Sequence, residues 1–131
     1  MSDFYLPEKY KKIIAIDFDG TIVKWNEPPK IGQLQEGVKE ALIKFKKMGF
    51  YIVINSCRFN NSWVKNTGLD KKQQIELVRN FLDNNEIVYD EIDTGDNGKV
   101  VAHYYIDDRN IEFDEIKGWG HIINKVKRDD I

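Results

Sequence analysis

With Cys57 as its only cysteine, the chain cannot close an internal disulfide, so its stability has to come from a packed core. That usage fits a reducing compartment, and the cytoplasm is the expected location. Long apolar runs are also missing. No stretch approaches the roughly 20 residues that cross a bilayer, and the polar Met1 to Lys12 carries no apolar run of signal-peptide length. No membrane partner is expected. Neither sign of charge prevails: 20 basic and 22 acidic residues leave a net charge of -2, which gives no general attraction to nucleic acid. The small lysine groups (Lys9, Lys11, Lys12; Lys44, Lys46, Lys47; Lys125, Lys127, Arg128) read as solvated surface. The two histidines, His103 and His121, read as strand or surface residues and not as ligands. No repeat or linker divides the chain.

What is present is an ordinary soluble balance, 41% apolar and 32% charged, over 131 residues. That predicts one domain spanning 1–131, with residues 1–11 as a loosely held arm, and a core that buries about two thirds of the unfolded surface. Oligomeric state is left open.

Residues 12–17 form an apolar run that reads as a first strand, and it leads into Asp17-Phe18-Asp19-Gly20. Side chains alternate along a strand, so Asp17 and Asp19 can share a face, and the glycine lets the chain turn at once. Residues 20–33 hold Gly20, Pro28, Pro29 and Gly32 and read as loop, with 22–31 as a flap carrying Trp25 near its tip. Residues 34–48 show helical spacing (Val38, Leu42, Phe45), closed by lysines and Gly49. Phe50 to Ile54 reads as a second strand, running into Asn55-Ser56-Cys57-Arg58. Residues 59–69, with Trp63, read as a long loop. Residues 70–83 form a second helix with Asp70 as its N-cap and Gln74 as one polar member of the apolar stripe. Ile87 to Tyr89 reads as a third strand, 93–99 as loop, and Tyr104 to Ile106 as a fourth strand ending in Asp107-Asp108-Arg109. A short strand or turn and a final helix follow Ile111.

Strand and helix alternating in this order imply parallel pairing and an α/β fold. The carboxyl ends of the strands, with Asp17 and Asp19, Ser56, and Asp107 and Asp108, then meet at one edge of one sheet. Taken singly, Asp-Gly is a turn signal, Ser56 a cap, and Asp107-Asp108-Arg109 a solvated turn. Taken together, four carboxylates at one edge repel one another unless something compensates. A divalent cation with all-oxygen ligands, such as magnesium, is the natural compensator, and it commonly binds a phosphate as well. Backbone N–H groups around Phe18 and Asp19, the Ser56 hydroxyl and the Lys99 ammonium are the candidate phosphate donors. Lys99 has the alternative of an exposed loop lysine.

Asp17-Phe18-Asp19-Gly20-Thr21-Ile22-Val23 resembles the first motif of the haloacid dehalogenase superfamily. Ile52 to Ser56 is similar to the second, Lys99 stands where the third-motif lysine is expected, and Asp107-Asp108 resembles the paired acids of the fourth. The four follow the family's order over residues 13–109. The stretch from Lys99 to Asn110 and the later Gly118-Trp119-Gly120 are similar to small capless members from bacteria and phages. Val100 departs from the pattern, since a proline commonly follows the lysine.

The resemblance implies a three-layer Rossmann-like fold with a mainly parallel sheet and no cap domain. It implies a magnesium-dependent phosphatase acting through an aspartyl-phosphate on a phosphorylated substrate: nucleotide, sugar phosphate, nucleic-acid end or phosphoprotein. Asp17 would be the nucleophile and Asp19 the acid and base. Magnesium would rest on the Asp17 carboxylate, the Asp19 backbone carbonyl, and Asp107 or Asp108. Phe18 (through its backbone), Ser56 and Lys99 would hold the phosphoryl oxygens, and Thr21 would tie the turn through its hydroxyl. Arg58 reaches either a substrate anion or Asp107 or Asp108 in an ion pair. Trp25 and Trp63 either stack on a substrate ring or pack against their own loops. Arg109 reads as structural and Cys57 as a passive thiol. Two rivals stand beside this reading: a signalling receiver domain, disfavoured because no clear acceptor ends the strand after the second helix, and a binding module that kept the fold without the chemistry.

Overall fold

The structure, a computed structural model, describes residues 12–60, 67–96 and 98–129. The expected arm at 1–11 and Trp63 lie outside the described residues. The first strand, β1, is Ile13–Asp17. It is followed by helix α1, Val38–Lys47, and strand β2, Tyr51–Asn55. A single 3-10 turn, Cys57–Phe59, precedes helix α2, Lys71–Asn84. Strand β3 is Glu91–Ile92, β4 is Tyr104–Ile106, and the terminal helix α3 is Gly118–Asp129. The four strands form one sheet in the order β3-β2-β1-β4, and every pair is parallel. The protein is therefore a Rossmann-like α/β domain with helices flanking a parallel sheet.

The apolar pattern explains the layering. Ile14, Ile16 and Phe18 share one side of the sheet with Ile52 and Ile54 by alternation, and they form the main core with Leu42 of α1 and Val78 and Leu82 of α2. Phe18 meets the Phe81 ring edge-on at 5.8 Å. Ile13, Ala15 and Val53 point to the opposite side and are also buried. Strands buried on both faces read as continuous apolar runs, as Ile13-Ile14-Ala15-Ile16 does. The far end of the chain is different. Trp119 (69% exposed), Ile123 (53%) and Val126 (52%) of α3 face outward, as do the three residues of β4 at the sheet edge.

Several boundaries move from their expected places. Helix α1 begins at Val38 and not at 34, because Leu34 pairs with Val23 and the Gln35 N–H donates to the Ile22 carbonyl at 2.9 Å. Those residues close a narrow ribbon whose outgoing arm starts at Ile22. Gly32 is required there, since a Cβ would run into the Lys24 carbonyl. Strand β2 includes Asn55, which stands in register with Asp17. The third strand is not Ile87 to Tyr89. Ile87 is buried in the core, and the chain reaches the β2 edge only at Asp90, whose N–H donates to the Ile52 carbonyl and whose carboxylate accepts from the Ile52 N–H. Core filling by Ile87 displaces pairing to residues 91 and 92. Helix α2 starts as its sequence indicates: the Asp70 carboxylate accepts from the Gln73 N–H, and the Gln73 side chain answers to the Asp70 N–H. Buried Gln74 donates to the Thr67 hydroxyl at 3.0 Å. Gly118, Trp119 and Gly120 form the first turn of α3, the final helix expected after Ile111. No helix among the described residues is long and apolar enough to cross a membrane.

Candidate active site

Strand order reverses at β1: the chain proceeds to β2 and β3 on one side and places β4 on the other. In open parallel sheets the crevice at such a reversal, beyond the carboxyl ends of the strands, is where ligands bind. The register delivers two acids to it. Ile16 pairs with Ile106, so Asp17 and Asp107 follow side by side. Asp17, Asp19, Asp107 and Asp108 line one cavity of about 490 Å³, together with Asn55, Arg58, buried Pro28 and the exposed Trp25, Cys57, Arg109 and Asn110. The four carboxylates expected at one edge thus do meet there.

A tight turn places them. The Phe18 carbonyl accepts from the N–H groups of Thr21, Ile22 and Val23, and the Gly20 N–H donates to the Val23 carbonyl at 2.8 Å. Gly20 sits at φ 84°, a left-handed conformation that costs a side-chain-bearing residue about 1 kcal/mol or more. A Cβ there would also collide with the Asp108 carboxylate. Glycine at position 20 therefore both allows the turn and lets the β4 acid approach it.

The two acids of the turn have separate surroundings. Arg58, 1% exposed, grips Asp19 with a bidentate fork, Nε to Oδ2 at 2.7 Å and Nη2 to Oδ1 at 2.9 Å. The same guanidinium donates to the Pro29 carbonyl at 3.0 Å and to the Lys30 carbonyl, and it lies over the Phe18 ring. Ser56 adds a third contact, its hydroxyl donating to Asp19 Oδ2 at 3.3 Å while accepting from the Arg58 N–H at 3.1 Å. The expected partners of Arg58, a substrate anion or Asp107 or Asp108, are thereby replaced by Asp19. A buried guanidinium has to be matched in charge and in hydrogen bonds, and Asp19 with two flap carbonyls supplies both. The two carboxylate oxygens of Asp19 thus accept three hydrogen bonds, and its charge is matched by the guanidinium.

Among the described residues Asp17 has no such partner. Burial first, and then the charges of Asp108, Asp19 and Asp107, push its carboxyl up to about 7, against a small opposing pull from the Phe18 N–H. A folded-state value above the unfolded 3.8 means that the native chain holds the extra proton between those limits. Stability without a divalent ion should therefore fall as pH rises from about 4 through 7. The loss should be about 1–2 kcal/mol once solvent screening of this half-buried group is allowed for. Thermal unfolding in chelator is expected to show a lower Tm at pH 8 than at pH 5, with a flatter profile for Asp17→Asn. Magnesium should restore the Tm at pH 8 and do little at pH 5. A wild-type Tm that shows the same pH profile as Asp17→Asn would contradict this.

A site that pushes a carboxylate toward its neutral form suits a cation, and it offers a further oxygen. The buried Oδ1 of Asn55 has no hydrogen-bond partner among the described residues and lies beside Asp17. Among the described residues, no three acidic, histidine or cysteine side chains are grouped so as to cage an ion by themselves.

No family model and no curated protein matches the chain. Two solved structures do. A conserved protein from Bacteroides thetaiotaomicron is 22% identical, with a TM-score of 0.57 over 91% of this chain and 92% of its own. A structural-genomics target from Vibrio cholerae is 24% identical, with a TM-score of 0.54 over 91% of this chain and 99% of its own. At these identities the likeness carries the fold alone.

The other expected residues are dispersed around this cavity and its neighbours. Ser56 lines an adjoining cavity with Asp17, Lys71 and Asp93. Lys99 is exposed in a third cavity that shares Asn55 and Asp107, with its ammonium 4.7 Å from the Tyr105 ring centre. It is not among the residues lining the Asp17 cavity. The Phe18 side chain is fully buried and its N–H donates to the Asn55 carbonyl at 2.9 Å, so that donor serves the sheet. The Thr21 hydroxyl, expected to tie the turn, is buried without a partner among the described residues. Trp25 is half exposed at the cavity, and the Arg109 guanidinium lies 5.5 Å from its ring centre. The Cys57 thiol is pushed up by partial burial and then by the charge of Asp17. Sequence reasoning missed Asn55, whose signal was its position opposite Asp17 once the strands are parallel. It also missed Asp93, which follows β3 at the same edge.

Proposed function

We propose that the chain is a phosphomonoester phosphatase that uses Asp17 as its nucleophile. The observation that carries the reading is the contrast between two carboxylates two residues apart. Among the described residues Asp17 lacks an ion-pair partner, and it lines the cavity, whereas Asp19 is oriented by Arg58 and Ser56. The motif order shared with the haloacid dehalogenase superfamily supports the same assignment, as does a sheet reversal at β1.

In this reading an Asp17 oxygen attacks phosphorus in line with the ester oxygen, and the phosphorus–ester bond breaks. As one oxygen turns out of the Arg58 fork, Asp19 takes up a proton from solvent and gives that proton to the leaving alcohol. A water then attacks the aspartyl-phosphate, its proton passes to Asp19, and phosphate leaves with Asp17 regenerated. Arg58 holds Asp19 and the flap in register through both halves. Ser56 orients Asp19 and stands beside the transferring oxygens, and Lys99 has to swing from the Tyr105 ring to reach them. A magnesium ion bound by Asp17, the Asp19 carbonyl and Asp107 or Asp108 would supply the neutralisation that lets an anionic carboxylate meet an anionic phosphoryl group.

The strand order argues against the receiver alternative. Receivers follow the order 2-1-3-4-5, with β1 between β2 and β3, whereas here β3 is an edge strand beyond β2. Asp93 follows that edge strand and so does not take the place of a central acceptor. The exposed, unpaired Cys57 suits a reducing cytoplasm. The test is release of phosphate from an aryl phosphate. Turnover should require magnesium and stop in chelator, and equal rates with and without chelator would overturn the magnesium requirement.

A further inference from the structure

Beyond the acids, the cavity has an outer wall of distinct chemistry. Among the described residues it is made by Trp25, Pro28, Cys57, Arg109 and Asn110. Asn110 brings its one amide, and the Cys57 thiol donates and accepts only weakly. Arg58 is engaged in its fork and with two flap carbonyls, which leaves it little to give a ligand. A sugar phosphate would place several hydroxyls against this wall, with Asn110 and the Arg109 guanidinium as their main polar partners. A flat ring has the opposite requirement: area to cover and few polar atoms to satisfy.

Trp25 supplies that area. Its indole is 52% exposed although it lies at the mouth of the cavity. The Arg109 guanidinium already lies over it, 5.5 Å from the ring centre, within cation–π range. Arg109 is also tied to the acid cluster through its backbone N–H, which donates to Asp107 Oδ1 at 3.0 Å. The pair therefore flanks the acids from which a phosphate would be handled. A cavity of about 490 Å³ lies within the range of roughly 300–1,000 Å³ that takes small organic ligands.

We propose that the compound processed at Asp17 is a nucleotide, with its phosphate at the acid end of the cavity and its base stacked on Trp25, beside or in place of the Arg109 guanidinium. Stacking on an indole tolerates any base, because every base has a π-face, and Asn110 is placed to meet a ring edge. The proposal rests on the phosphatase reading for the fate of the phosphate but not for recognition of the base.

The decisive comparison is adenosine 5′-monophosphate against ribose 5-phosphate, which share the sugar and the phosphate and differ in the base. With the full chain and magnesium, KM for the nucleotide should be at least about tenfold lower, in line with alanine substitutions at base-stacking aromatics. Trp25→Ala should raise that KM about tenfold and leave the ribose 5-phosphate KM within about twofold, while Trp25→Phe keeps the preference. A 5′-phosphorylated oligonucleotide separates the two sources of such a base. A higher kcat/KM than the free nucleotide points to a strand end and a lower one to a metabolite, and both support the stack. Equal KM values in the wild type, or a Trp25→Ala effect of the same size on both compounds, would overturn the proposal. If neither compound is turned over, titration calorimetry decides. Binding of the nucleotide but not of ribose 5-phosphate removes the phosphatase reading and keeps the base site, whereas no selectivity removes the base site.

Discussion

Asp17→Asn is expected to reduce phosphate release by a factor on the order of 10⁴ or more, because the amide cannot form the covalent intermediate. The same substitution is expected to raise the stability of the metal-free protein at pH 8. In the wild type that carboxyl is pushed up to about 7 by burial and three neighbouring acids, so its ionised form is held against an unfavourable field. Asparagine removes the charge and keeps the shape. A variant that is less active and more heat-resistant in chelator would tie the acid cluster to function at the expense of stability. Mass spectrometry of wild type mixed with a phosphoryl donor should show the mass of one added phosphoryl group, absent from the variant. Unchanged turnover in Asp17→Asn would end the covalent reading.

Arg58→Met should destabilise the fold by about 3–5 kcal/mol, lowering the Tm by roughly 10 °C or more. The methionine would leave the partly buried Asp19 carboxylate without a counter-charge, and the Pro29 and Lys30 carbonyls without their donors. The cost arises from what is left unpaired more than from the attraction lost. Two further variants separate these contributions. Arg58→Lys keeps the charge but cannot serve a bidentate fork and two carbonyls at once, so it should fall between wild type and Arg58→Met. In the Asp19→Asn/Arg58→Met double variant the stranded charge is gone, and unfolding in urea should show it at least as stable as Arg58→Met alone. Simple addition of two large single losses would mean that the pair does not act as a unit.

Much of the frame was legible in the chain. The apolar run at 13–16, the helical spacing around Leu42 and the Asp70 cap each rest on local rules, and each appears in place. The third strand was misplaced because Ile87-Val88-Tyr89 has strand composition but lies where the core needs volume. Composition does not distinguish an apolar residue that fills from one that pairs. The start of α1 was misplaced because Leu34 belongs to a ribbon whose other arm is eleven residues away in sequence.

The candidate site divides in the same way. The sequence by itself determined that acids follow the first and fourth strands, that a glycine turns the chain after them, and that a serine and an arginine follow the second. These are matters of spacing, and spacing is local. Only the tertiary structure decided the partners. Parallel register set Asn55 beside Asp17, order reversal at β1 brought Asp107 and Asp108 to the same cavity, and burial gave Arg58 to Asp19. Charges and hydrogen-bonding groups choose partners by desolvation and distance, and neither is defined until the strands have been laid side by side.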